Sequence, residues 1–150
     1  MMIDLRLFII EGKKDKRVID LAHKLGNIKR AFYFMRDEII TYPDEFDDWY
    51  YPQQTLFENE SSDCEDKAMT LTTLLEILGY NAYVYIFQAK KDENHAVVIV
   101  DNVVLDPTFD KMEMNEIASI FIPNYYLKPI VKFNSKELAV FDEERYEKLL

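Results

Sequence analysis

The chain reads as an α+β protein, with helices gathered towards the N-terminus and an antiparallel sheet behind them. Three observations predict this. Ala68, Leu71, Leu74, Leu75 and Leu78 form an apolar stripe at helical spacing over Cys64 to Leu78. Two β-branched and aromatic runs, Ala82 to Gln88 and His95 to Val100, flank a short charged stretch. The 150 residues, 49% hydrophobic and 14% aromatic, are enough to bury one substantial core. The expectation is a single domain over residues 1–150, with the Cys64 helix packed on the sheet.

Taken in order, Ile3, Leu5, Leu7 and Ile9 alternate with Asp4, Arg6 and Phe8, which predicts a strand ending near Gly12. Lys14 to Leu25 has helical spacing, with Val18, Leu21, Ala22 and Leu25 on one face. Gly26 suits the end of that helix and Asn27 the cap of the next, which runs from Ile28 to Ile40 and stops before Pro43. Tyr42 to Asp63 has no sustained period and reads as a long ordered loop whose aromatics, Phe46, Trp49, Tyr50, Tyr51 and Phe57, pack on something. Loops of that length inside a domain are usually functional.

The Cys64 helix takes its cap from Ser62 or Asp63 and ends at Gly79. After the two strands, Asp101-Asn102 turns the chain into Val103 to Asp106, which completes an antiparallel meander. A short helix is expected within Met112 to Phe121. Strands are expected at Tyr126 to Phe133 and Leu138 to Phe141, and a last helix at Asp142 to Leu150.

Charge and cysteine count narrow the function classes. Eighteen basic residues against twenty-eight acidic ones give a net charge of −10, which disfavours nucleic acid and anionic membranes as partners. One cysteine forms no intrachain disulfide. The N-terminus is interrupted by Asp4 and Arg6 and has no signal-peptide pattern, and no apolar run approaches the ~20 residues of a membrane span. The expectation is a cytoplasmic protein. No Cys/His cluster has metal-ligand spacing and no phosphate-binding glycine motif occurs, so no cofactor is expected.

The chemistry concentrates in Ser61-Ser62-Asp63-Cys64-Glu65-Asp66-Lys67-Ala68, where a polar stretch becomes a helix. Unpaired N–H groups at a helix start favour a thiolate, whereas Asp63, Glu65 and Asp66 oppose one. His95 and then Asp106, in Leu105-Asp106-Pro107-Thr108, follow in an order that cysteine-based acyl transfer uses. Each residue also has an ordinary structural role open to it. A lone Cys is often packing, a strand His is often satisfied locally, and Asp before Pro is a common turn residue. His23, within the second helix, reads as structural.

From about Asp15 to Thr108 the sequence resembles the transglutaminase-like superfamily. The resemblance rests on Asp37 to Tyr42, Pro52-Gln53-Gln54-Thr55-Leu56, the Asp63 to Ala68 run leading to Leu78-Gly79-Tyr80, His95-Ala96-Val97, and Leu105 to Thr108. It implies a papain-like fold and a cysteine peptidase with a Cys64, His95, Asp106 triad: nucleophile, base and orienter, working through a thioester on a peptide or protein substrate. Transfer to an amine in place of water, or an inactive domain serving as a protein-binding module, are the alternatives, with a redox-sensing thiol a lesser one. The chain departs from the pattern at Ser62, where many members have Gly, and at Gln54, where related runs have Glu. It has Tyr50 where relatives often carry Gln. Trp49, Tyr50 and Gln54 are therefore the candidates for completing an oxyanion or substrate site, and Asp63 and Asp66 for supporting it.

Overall fold

The computed structural model describes residues 3–40, 49–58, 62–90, 93–108, 116–117 and 128–150. Its first element is α1 (Arg6–Lys14), a helix where the alternating residues predict a strand. Leu5, Phe8, Ile9 and Gly12 are buried at one-turn spacing while Leu7 stays 48% exposed. The 3.6-residue period, carried by the same residues, therefore overrides the alternation. Helix α2 (Lys16–Leu25) starts at Asp15, whose carboxylate accepts from the Arg17 and Val18 N–H groups, and stops at Gly26 with φ 82°. Asn27 caps α3 (Ile28–Glu38) through the Arg30 N–H.

The expected long loop contains a further helix, α4 (Pro52–Phe57). Pro52 opens it at a position where no N–H is needed, and Gln54 Oε1 accepts from the Tyr51 N–H at 2.8 Å. Phe46, and the rest of 41–48, lie outside the described residues. Helix α4 crosses close to α1, because a Cβ on Gly12 would sit 2.6 Å from Pro52 Cγ. Phe8 of α1 packs against Tyr51 and Trp49, with ring centroids 4.9 and 6.1 Å away.

Helix α5 (Cys64–Ile77) is the axis of the molecule. Every residue from Asp66 to Leu75 is buried, because α1 to α4 cover one side and the sheet the other. The enclosed Thr70 and Thr73 hydroxyls are satisfied by donating to the Asp66 and Met69 carbonyls.

The sheet is built from β1 (Ala82–Lys90), β2 (Glu93–Val100), β3 (Val103–Leu105), β4 (Glu116–Ile117), β5 (Lys128–Phe133) and β6 (Leu138–Val140), in the spatial order β4-β3-β2-β1-β5-β6. All its described pairings are antiparallel. Strands β1 and β2 run further into the expected charged turn than the sequence predicts, pairing as far as Lys90 with Glu93. Glu116–Ile117 pairs with Val103–Val104 as a strand, where a helix is expected; the rest of Met112 to Phe121 lies outside the described residues. Ala82, Val84, Ile86, Ala96, Val98 and Val100 face α5 and form the core with Leu71, Leu74 and Leu75. Asp142 caps the terminal helix α6 (Glu143–Leu149).

Candidate active site

The site forms where the first turn of α5 meets the end of the β2–β3 pairing. That ladder joins Val98–Val100 to Val103–Leu105 and then stops. Two residues back from Val98, the Ala96 N–H acts on Cys64, lowering the thiol pKa. His95 is the next residue along β2, and Asp106 directly follows β3. Nε2 of His95 lies 2.6 Å from Asp106 Oδ2, and the second carboxylate oxygen accepts from the Thr108 N–H at 3.1 Å. The Asp106 side chain is fully buried, while the imidazole keeps 14% of its surface exposed. A hydrogen-bonded imidazole open to solvent on one side, backed by a buried carboxylate, is the arrangement general base chemistry needs. Cys64 feels the Asp106 charge as well, so the three sequence-predicted residues occupy one neighbourhood.

Asp63 and Asp66 hold the backbone on either side of Cys64. Asp63 Oδ1 accepts from the Asp66 N–H at 3.0 Å and Asp66 Oδ2 accepts from the Asp63 N–H at 3.2 Å, a reciprocal box around Cys64. The other oxygen of Asp66 accepts from the Tyr50 N–H at 3.0 Å, which ties the segment before α4 to the start of α5. The three oxyanion or substrate-site candidates are thus each engaged in the scaffold. Trp49 packs on Phe8, the Tyr50 N–H is taken by Asp66, and Gln54 Oε1 caps Tyr51.

The electrostatics differ from what the helix start alone predicts. Burial pushes the Cys64 thiol well above its ordinary pKa, Glu65 adds to this, and the Ala96 N–H only partly offsets it, with Asp63 and Asp106 opposing ionisation too. Desolvation and like charge therefore outweigh the helix dipole. Burial, with the Asp63 charge and hydrogen bond next, also raises the Glu65 and Asp66 carboxyls far above the usual carboxylate range.

The sequence reading gave Lys67 no role. It is 1% exposed, and its Nζ donates to the Ile39 carbonyl at 2.9 Å. No sequence signal marked it, because its burial comes from the helices packed around α5.

No protein-family model matches the chain, and no curated protein is detectably similar in sequence. Solved structures of LapG from Legionella pneumophila are similar in fold. One aligns with a TM-score of 0.59 at 16% identity, covering 99% of this chain and 95% of that one. The EGTA-treated and calcium-bound forms each align with a TM-score of 0.57 at 18% identity, covering 91% and 89% of this chain and 74% of theirs. At this identity the likeness is one of fold: LapG shares the α+β arrangement of helices on an antiparallel sheet seen here. Calcium belongs to that protein's structure. Among the described residues of this chain, no group of three or more His, Cys, Asp and Glu side chains is placed to hold a metal ion. Among the same residues, no helix is long and apolar enough to cross a membrane.

Proposed function

We propose that this chain is a transglutaminase-like cysteine peptidase acting on peptide or protein substrates. The observation that carries the reading is the 2.6 Å His95–Asp106 bond, whose carboxylate charge also acts on Cys64 at the start of α5. The fold likeness to LapG, a cysteine protease, adds support.

In this reading the Cys64 thiol gives its proton to His95 as the sulfur attacks the scissile carbonyl carbon. The Cys64 N–H, at the first helical position, donates to the oxyanion. The C–N bond breaks, His95 returns the proton to the departing amine, and a thioester remains. Water, deprotonated by His95, attacks that thioester and releases the acid; the proton goes back to sulfur. Asp106 keeps the imidazole in one tautomer and orientation throughout. An amine arriving in place of water would give transamidation by the same steps.

The raised thiol makes the test sharp. Burial and Glu65 hold the isolated thiol protonated, so any thiolate at neutral pH must come from proton transfer to His95. Alkylation of Cys64 by iodoacetamide, followed by intact mass from pH 4 to 9, reads this directly, because the chain has one cysteine. Labelling well below pH 8 that His95→Ala abolishes is the expected result. Labelling that begins only near or above the ~8.5 of a free thiol, and ignores His95→Ala, would overturn the enzyme. It would favour the alternative that the raised thiol also supports, a protein-binding module that keeps the fold without the chemistry.

A further inference from the structure

Phe8, Trp49 and Tyr51 form a cluster that the reaction above does not use. Phe8, on α1, is 8% exposed, and the Tyr51 and Trp49 rings lean on it with planes tilted by 40° and 34°. Tyr51 nevertheless keeps 37% of its surface exposed, and Trp49 is half-buried. The backbone beneath is fixed. The Tyr51 N–H donates to Gln54 Oε1, its carbonyl accepts from the Gln54 and Thr55 N–H groups at 2.9 and 3.0 Å, and Pro52 follows, set close against Gly12. An exposed ring on so rigid a mount loses little entropy when a second group meets it. Phe57, exposed at the other end of α4, differs, because the Arg17 guanidinium stands over its ring at 4.8 Å. Among the described residues no cation stands over Tyr51.

Hydrogen bonds tie this cluster to the turn that carries Cys64. The N–H of Tyr50, between Trp49 and Tyr51, donates to Asp66 Oδ1 at 3.0 Å. The other oxygen of the same carboxyl accepts from the N–H of Asp63, the residue before Cys64, at 3.2 Å. One side chain thus spans the gap, and an extended peptide covers a gap of that size in one or two residues of about 3.3 Å each. The cluster lies on the helical side of α5, and His95 on the sheet side. Asp66 does not favour a cationic guest, because both its oxygens accept N–H groups and burial keeps its proton on to about 8. We propose that Phe8, Trp49 and Tyr51 form a subsite for a large aromatic side chain of the peptide substrate, one or two residues from the bond that Cys64 attacks. Its place in catalysis rests on the peptidase reading, but the binding is measurable without turnover.

Trp49 is the only tryptophan, so its emission reports on the cluster in the full chain. The probes are acetylated, amidated hexapeptides of Ala and Ser, each with one Phe at a different position, titrated into Cys64→Ala. The best Phe peptide should shift Trp49 emission and bind about tenfold tighter than the Phe-free peptide, the scale of one aromatic contact. Lys in place of Phe should bring no gain. Adding Tyr51→Ala should remove the preference and Tyr51→Phe should keep it; should Tyr51→Ala fail to fold, the peptide comparison in the intact cluster still decides. In the wild-type chain the best Phe peptide should slow iodoacetamide labelling of Cys64. Equal affinity for Phe and Phe-free peptides, a preference for Lys, or unslowed labelling at saturating peptide would overturn the subsite. If labelling proves His95-dependent while the Phe preference is absent, the peptidase stands and this subsite falls. A Phe preference with labelling indifferent to His95 removes the peptidase and, with it, the substrate role of the cluster, leaving a surface that binds aromatic side chains.

Discussion

At the scale of residues, Cys64 and His95 stand out in the sequence because their types are scarce, one cysteine and two histidines. Asp106 is one of fourteen aspartates and is singled out only by its order after them. Their surroundings were less legible. The bond from Asp66 to the Tyr50 N–H joins residues sixteen apart through a stretch without periodicity, so no local rule predicts it. The burial of Lys67 follows from helices packing around α5, which a charged letter in a polar run conceals. Two substitutions test these roles. Cys64→Ala should abolish peptide turnover while urea unfolding shifts by no more than about 1–2 kcal/mol; preserved turnover would exclude Cys64 as nucleophile. Asp66→Ala strips the acceptor from both the Tyr50 and Asp63 N–H groups and should cost about 1–3 kcal/mol in the same unfolding experiment.

At the scale of elements, what the sequence reveals depends on whether one period dominates. Helix α5 and strands β1 and β2 have unambiguous patterns, and each lies within a few residues of its expected span. The N-terminal segment carries both periods, since Leu5 and Ile9 serve either a strand face or a helix face. Partners outside the segment decide, and α1 forms because Leu5, Phe8 and Ile9 together reach the core. Helix α4 was hidden by its length of six residues, although Pro52 followed by Gln54 is a legible start signal. The α1–α4 crossing gives a prediction at this scale. Gly12→Ala puts a methyl group against the Pro52 ring, and the overpacking should destabilise the fold by about 1–3 kcal/mol. An unchanged urea midpoint would mean that α4 shifts freely on α1.

At the scale of the whole molecule, the buried acids beside Cys64 tie stability to pH. Unfolded, Glu65 and Asp66 release their protons near ~4. Folded, Asp66 keeps its proton to about 8 and Glu65 to about 9, chiefly because both are buried. Across that window the native state binds more protons than the unfolded one, so stability is fullest at the acidic end and falls as pH rises. Lys67 acts the other way, but only between about 8 and its unfolded 10.5. Urea midpoints should therefore be higher at pH 5 than at pH 7.5, and Asp66→Asn should narrow the gap; equal midpoints in wild type would contradict these assignments.

The placement of Cys64 on α5, with His95 on β2 and Asp106 just after β3, has a mechanical consequence. The proposed reaction centre is a seam between two layers and belongs to neither. Swelling that slackens the layers would part sulfur from imidazole before a helix or strand melts. Mild denaturant should therefore extinguish turnover while far-ultraviolet circular dichroism stays flat, making chemistry the most sensitive gauge of how tightly this core is closed.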